Sequence, residues 1–325
     1  MKAVVCKELC LPKDLVVTPF DLPAVPAGHV KVTVKSAALN FPDVLMVQGK
    51  YQYKPELPFV VGGDFAGVIA EIGEGVEGWT IGQRVYGSTV GSFAEECIAP
   101  AANIFASPDD IDDDTASCFA IVYGTVIHAL KDRANIQPGE TLLVLGASGG
   151  VGIGAIQLGK IMGARVIAAA STQEKLDLCR EVGADEVINY DTENLRDRVK
   201  ELTGGKGADV IFDPVGDRYF DAAINCIGFM GRYLVVGFAA GEIPKMAINR
   251  LLIKSASAVG VFWGFWRSKF PQQDAANFQQ LAEWHSEGKW KVIVQKRVGL
   301  DDVPQALQDM ADRKVMGKVI VDPSL

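Results

Sequence analysis

Histidine is the scarcest chemistry-bearing residue in this 325-residue chain, which has three: His29, His128 and His285. They stand far apart, and none falls at ligand spacing from a cysteine, so no metal site is written in the sequence. The six cysteines, Cys6, Cys10, Cys97, Cys118, Cys179 and Cys226, are equally scattered. A chain of this length needs no disulfide staples, and they read as core thiols. Basic charge is in deficit: 32 lysines and arginines against 40 carboxylates leave a formal charge of −8. That balance argues against nucleic acid or an anionic membrane as the main partner. Long apolar runs are missing as well. No stretch approaches the ~18 uninterrupted apolar residues of a membrane span, and the opening MKAVVCKELCLPKDL breaks its apolar residues with charge every few positions. The expectation is a soluble, cytoplasmic protein. With no internal repeat of roughly 20–50 residues, tethered arrays and solenoids are excluded.

What is present is ordinary globular composition, 49% apolar and 22% charged, in a chain long enough for two domains. The most informative stretch is Thr141–Gly152, TLLVLGASGGVG. Leu142–Leu145 can form a strand buried on both faces, and the glycine-rich run then turns into a helix over Ile153–Met162. The spacing Ala147-x-Gly149-x-x-Gly152 is the dinucleotide fingerprint with alanine in its first position. Ser148, Gly149, Gly150, Val151 and Gly152 are therefore assigned to a pyrophosphate, which the N–H groups and positive end of the following helix would hold.

The chain before this point reads as an antiparallel, barrel-like domain. Residues 2–9, 15–19 and 29–36 carry β patterns separated by prolines, and VVGGDFAGVIAEIGEG at 60–75 suggests curved strands. Around Asp109–Glu140 the texture changes to helical periodicity. Strands then recur at Arg165–Ala170, Glu186–Asn189, Asp209–Asp213, Arg232–Val236 and Ser255–Val261, with helices at Lys175–Val182, Asn194–Thr203 and Tyr219–Ile227 between them. Six strands alternating with helices predict a doubly wound parallel sheet. Trp263–Pro271, WGFWRSKFP, breaks the alternation. Helices at Asn277–Gly288 and Val303–Arg313 and strands at Val292–Val298 and Lys318–Val321 are expected to return to the first domain. The predicted division is 1–122 with 264–325, and 123–263 for the cofactor.

An NAD site carries an acidic residue at the end of the second strand, about 20 residues past the fingerprint, to bind the ribose hydroxyls. Here that strand ends Ala170-Ser171-Thr172, and the first carboxylate, Glu174, already lies in the next helix beside Lys175. Ser171 and Lys175 suit a 2′-phosphate instead, which favours NADPH.

Asn40-Phe-Pro-Asp43 with Gly49-Lys-Tyr51, GGDFAGVIAEIGEGV, GASGGVG and Gly183-Ala-Asp-x-x-Ile-Asn-Tyr190 together resemble the zinc-independent quinone oxidoreductases of the medium-chain dehydrogenase/reductase superfamily, the zeta-crystallin type. The resemblance runs over nearly the whole chain. It implies an α/β protein: a chaperonin-10-like partial β-barrel plus a Rossmann six-stranded doubly wound parallel sheet, with the active site in the cleft between them. Zinc-dependent relatives place ligands in C-H-x-D and G-H-E segments, where this chain has Asn40-Phe41-Pro42-Asp43 and Gly62-Gly63-Asp64. Resemblance puts Tyr190 and Arg313 near the adenosine phosphate with Lys175, and Thr125 and the backbones of Val236–Phe238 and Val261–Phe262 near the nicotinamide. It puts Tyr51 and Asn40 beside the acceptor, as a phenol and an amide able to stabilise charge on oxygen where no metal does so. Pairing as a homodimer through the apolar Ser257–Phe265 edge is the further expectation. Three functions stay in competition: NADPH-dependent reduction of a quinone, reduction of an enone or enal at carbon, and a nucleotide-binding structural or RNA-binding role.

Overall fold

The computed structural model describes residues 1–325 and divides into two compact units, Met1–Val122 with Val292–Leu325, and Tyr123–Lys291. In the first unit the ten-residue strand His29–Ala38 is the spine. One edge pairs with Asp64–Ile72 throughout; the other is shared end to end by Glu96–Pro100, opposite His29–Thr33, and Lys318–Val321, opposite Ala37 and Ala38. Register shifts at Lys31/Val32 and Val34/Ser36 bend the spine, as bulges do. Arg84–Ser88 and Ile104–Ala106 extend the sheet on one side and Val294–Val298 on the other. A second, three-stranded antiparallel sheet orders Val16–Pro19, Lys2–Cys6 and Phe59–Val60. Alternate residues of the spine, Val30, Val32 and Val34, meet Phe65, Ile69, Val85 and Phe93 in one apolar core. This is the partial barrel.

A helix the sequence pattern does not announce, Phe41–Val47, follows the spine. Asn40 caps it in an extended conformation, Pro42 falls where a helix needs no N–H donor, and the Asp43 side chain accepts the Asn40 N–H at 2.8 Å.

In the second unit six parallel strands run in the order Glu186–Asn189, Arg165–Ala170, Thr141–Leu145, Ala208–Asp213, Ile227–Val235 and Ser257–Gly260. The order reverses beside Thr141–Leu145, which makes that strand's C-terminal end the switch point where open α/β sheets bind ligands. Leu142–Leu145 are wholly buried. The segment expected as one helix, Tyr219–Ile227, instead gives a short helix, Phe220–Ile224, and Ile227 already opens the next strand. No helix in the chain is long and apolar enough to cross a membrane.

The predicted boundary at 264 is corrected by the structure. Helices Trp263–Lys269 and Pro271–Ser286 belong to the second unit, and the chain returns to the first only at Val292. The reason is a buried polar clasp: Asp274 accepts the Trp263 indole N–H at 2.7 Å and the Arg267 guanidinium at 3.3 Å. His128 stacks on Trp266, Asn277 bonds Asp132, and Phe278 and Trp263 press on Gly124. The basic aromatic cluster WGFWRSKFP thus turns Trp263 and Arg267 inward and leaves Phe265 and Phe270 exposed.

Candidate functional site

In the second unit the fingerprint does what its spacing demands. Strand Thr141–Leu145 ends at Gly146, whose φ of 57° starts the turn, and Gly149 caps the helix Gly150–Ile161 in an extended conformation. The first intrahelical bond is Ile153 N–H to the Gly149 carbonyl at 2.8 Å. The N–H groups of Gly150, Val151 and Gly152 precede it and point out of the helix start, free for an anion. Gly152 is irreplaceable on steric grounds: a Cβ there would stand 2.5 Å from the Gly146 carbonyl oxygen and 2.7 Å from Ala147 Cα. Ser148 is buried, while Gly149, Gly150 and Val151 keep the helix start accessible.

One strand away, Arg165–Ala170 ends beside the second helix, Gln173–Glu181, capped by Thr172, whose hydroxyl accepts the Lys175 N–H at 3.3 Å. Lys175 Nζ lies 3.5 Å from Ser171 Oγ. The Tyr190 N–H donates to the Ala170 carbonyl at 3.1 Å, so the tyrosine's backbone adjoins the same strand end. The structure therefore gathers Ser171, Lys175 and the Tyr190 main chain at a strand end whose own residues, Ala170-Ser171-Thr172, include no carboxylate. Sequence reasoning missed the cluster behind Tyr190. Its ring packs 4.0 Å from Tyr219, the Tyr219 hydroxyl donates to Asp191 at 2.6 Å, and Arg218 covers the Tyr219 ring while reaching Asp191. The signal was available, since Asp217-Arg-Tyr219 follows the turn at the end of strand Ala208–Asp213.

The segments expected near the nicotinamide also meet. Val236 N–H donates to the Asp213 carbonyl at 3.0 Å and Val261 N–H to the Val235 carbonyl at 3.0 Å, so Val236–Phe238 and Val261–Phe262 leave adjacent strand ends. Buried Asp213 braces the neighbouring turn by accepting the N–H groups of Val215 and Gly216 and the Tyr233 hydroxyl. Burial pushes the Asp213 carboxyl up, and these donors oppose the shift. Phe262 is about half exposed, and Thr125 is partly exposed in helix Gly124–Ile127. Arg313 belongs to the first unit, exposed just past the helix Val303–Ala311 with a φ of 62°.

The first unit holds a buried polar cluster around Asn40. The Asn40 amide nitrogen donates to the Ala38 carbonyl at 3.1 Å and to Asp64 Oδ2 at 2.8 Å, and its oxygen accepts from Lys318 Nζ at 2.6 Å. Lys318 Nζ also reaches the Leu39 carbonyl at 2.7 Å, and Asp64 Oδ1 accepts the Ile121 N–H at 3.1 Å. Both Asn40 amide hydrogens are spent inside the protein, so the amide expected to meet an acceptor oxygen is an anchor instead. Tyr51 is different. Its ring packs against the core while its hydroxyl has no protein partner, and burial, then the nearby Asp43 charge, raise its proton affinity. Asp43 itself is pushed up to about 7, chiefly by burial, with Asp64 adding to the shift and the Asn40 N–H and Lys318 opposing it.

The donor set does not fit zinc. A side chain at position 63 would begin with a Cβ 2.8 Å from Ile121 Cδ1 and 3.3 Å from Asp43 Oδ1, position 40 supplies an amide already saturated, and nowhere do three or more histidine, cysteine or acidic side chains converge in a way that could hold a metal ion.

Comparisons agree with this architecture. Residues 150–280 match the zinc-binding dehydrogenase family, and residues 26–109 match the alcohol dehydrogenase GroES-like domain. The chain is 40% identical over 325 residues to the quinone oxidoreductase-like protein 2 homolog of Nematostella vectensis, covering 99% of this chain and 88% of that one. A probable oxidoreductase from Mycobacterium abscessus is 37% identical with a TM-score of 0.89, covering 99% of both chains. Escherichia coli quinone oxidoreductase complexed with NADPH is 26% identical with a TM-score of 0.92, covering 99% of this chain and 100% of that one.

Proposed function

The chain belongs to the quinone oxidoreductase-like proteins of the medium-chain dehydrogenase/reductase superfamily, the zeta-crystallin type, NAD(P)H-dependent oxidoreductases, and from that premise we propose that it uses NADPH to reduce a quinone without zinc. The observation that carries the reading is the end of strand Arg165–Ala170, where Ser171, Lys175 and the Tyr190 main chain meet and the strand's own end, Ala170-Ser171-Thr172, carries no carboxylate. A 2′-phosphate satisfies that set through charge-assisted hydrogen bonds, and a bare ribose does not. The N–H groups of Gly150–Gly152 would take the pyrophosphate, and Thr125 with the backbones at Val236–Phe238 and Val261–Phe262 would orient the nicotinamide. NADPH supplies a hydride when bound.

Charge that develops on an acceptor oxygen needs a donor where no Lewis acid stands. Tyr51 is the side chain assigned to that task, with a hydroxyl that nothing in the protein engages. A quinone suits such a site because its reduction asks less of the protein than forming an enolate does. Reduction of an enone or enal is the second reading, favoured by the acidic group beside Tyr51, since an enolate must be protonated. NADPH oxidation measured against a panel of quinones and enones tests both. Turnover of neither class would defeat the reductase reading and leave nucleotide binding alone.

We further propose a homodimer. Strand Ser257–Gly260 pairs on one side only, and Phe229, Met230, Ile248, Leu252 and Ile253, all 65–79% exposed, lie in the neighbouring strand and in the segment leading to it. An open apolar edge of this kind invites pairing with a second copy.

A further inference from the structure

The proton that must follow the hydride has no assigned source so far. Two of the unpartnered oxygen atoms of the first unit belong to groups within electrostatic reach of each other. The first is the Tyr51 hydroxyl. The second is Asp43 Oδ1: the other carboxyl oxygen takes the Asn40 N–H at 2.8 Å, while Oδ1 faces Gly63, 3.3 Å from where a Cβ would sit. Asp43 is 1% exposed, yet its charge is felt at Tyr51. The ionisable groups that face Asp43 come from three other segments: Asp64 from the strand Asp64–Ile72, Lys318 from the strand Lys318–Val321, and Tyr51 from the loop after the Phe41–Val47 helix. Cys118 is also within electrostatic reach of Asp64 and Lys318. Asp64 is joined to the buried Lys318 ammonium through the Asn40 side-chain amide, and the Asp43 carboxyl is held by the main-chain N–H of the same residue. Such a group cannot cheaply hold two negative charges, so one carboxyl keeps a proton more readily than a surface acid does.

Resting on the reductase reading above, we propose that Asp43 stores the proton that follows the hydride and passes it to the reduced acceptor through the Tyr51 hydroxyl, with Lys318 and Asp64 setting how tightly it is held. The balance is simple. Once the hydride has added to the acceptor, the acceptor oxygen takes the Tyr51 O–H proton, the phenolate oxygen takes the proton of the Asp43 carboxyl, directly or through one water, and the Asp43 carboxylate is reprotonated from solvent. Asp43 acts through Tyr51 and is a positioning and proton-holding residue. Burial and Asp64 keep its proton on up to about pH 7.

The test has a readout that needs no turnover. Carboxyl carbon-13 shifts of Asp43, assigned by loss of the signal in Asp43→Asn, are titrated in the cofactor-free protein. Titration near neutrality is expected, moved to higher pH in Lys318→Met, where the opposing ammonium is gone, and to lower pH in Asp64→Asn, where the like charge is gone and the Asn40 contact can be kept. In steady-state reduction with saturating NADPH, the unmutated protein should lose rate at least tenfold as pH rises through the same window. Asp43→Asn should be slow and flat there, and the other two variants should move the limb in opposite directions. A merely structural role would lower the rate without moving the limb, and would sink the proposal. So would an Asp43 carboxyl that titrates near 4, or a limb that persists in Asp43→Asn. Should Lys318→Met fail to fold, the Asp64→Asn shift and the Asp43 titration decide alone. Absence of turnover with every acceptor would overturn the reductase reading and the delivery step with it, whereas an acidic Asp43 titration with turnover intact overturns only the inference.

Discussion

Removing the Lys175 side chain separates the two nicotinamide dinucleotides, because only one of them carries a phosphate for it to hold. The substitution Lys175→Ala leaves the start of the helix Gln173–Glu181 intact. The residue's own N–H caps onto Thr172 at 3.3 Å and is kept, and the side chain's contact with Ser171, at 3.5 Å, is at the outer limit of a hydrogen bond. Stability should therefore change by no more than about 0.5 kcal/mol, the range for a partly exposed surface position. Against a 2′-phosphate the side chain makes a hydrogen bond between charged groups, worth about 1.5–3 kcal/mol. That corresponds to a loss of about 10- to 150-fold in NADPH affinity. NADH, which has only hydroxyls at that position, should bind within about twofold of its original affinity, a change under about 0.4 kcal/mol. Fluorescence titration of both cofactors into both proteins, at fixed ionic strength, gives the four constants needed. Raising the salt should weaken NADPH binding in the unmutated protein and do so less in the variant. Equal losses for the two cofactors, or equal affinities before mutation, would show that this strand end does not read the 2′-phosphate.

Four further outcomes are expected. Gly152→Ala should destabilise the second unit by about 1–3 kcal/mol, because its Cβ meets backbone that cannot step aside, and should abolish measurable NADPH binding; wild-type affinity would refute the close approach. Tyr51→Phe keeps the ring in the core and removes only the unpartnered hydroxyl, so the rate should fall a few-fold with quinones and more with enones, and unchanged kinetics for both would strike Tyr51 from the mechanism. Elemental analysis of the purified protein should find no stoichiometric zinc, and chelators should leave turnover intact; a full equivalent lost together with activity would refute the donor-set argument. Val259→Lys, placing charge in the open edge strand, should shift the protein from dimer to monomer in sedimentation, while a monomer before mutation would remove the edge-pairing proposal.

Much of the second unit was legible in the sequence because its physics is local. Strands buried on both faces read as apolar runs, as Leu142–Leu145 does, and the glycine spacing announces the turn at which they stop. Ser171 and Lys175 could be named because what mattered was a missing carboxylate at a countable distance. The misassigned helices Trp263–Ser286 show the limit: WGFWRSKFP looks like an exposed basic patch until Asp274, eleven residues on from Trp263, claims both the indole and the guanidinium. The Asn40 cluster was less accessible still. Lys318 opens a strand reading KVIV and resembles any solvent-facing lysine, and its partners Leu39 and Asn40 lie 279 and 278 residues away. No periodicity links them. The Asn40 amide's commitment to three neighbours, Ala38, Asp64 and Lys318, is decided by tertiary contacts.

The first unit is stitched from two distant lengths of chain, whereas Tyr123–Lys291 is continuous. Order of synthesis therefore matters to the polar cluster. When Lys291, the last residue of the second unit, has been added, Asn40, Asp43 and Asp64 have long been made, yet Lys318 has not. Until Lys318 arrives and its strand docks against Ala37 and Ala38, burying those acids means burying charge with no counter-ion, which costs several kcal/mol. The first unit therefore completes its sheet last, after the whole sequence of the second unit has been made. In a chain stopped between positions 292 and 317, spine residues Ala37 and Ala38 would still lack their partner strand and stay exposed to chaperones.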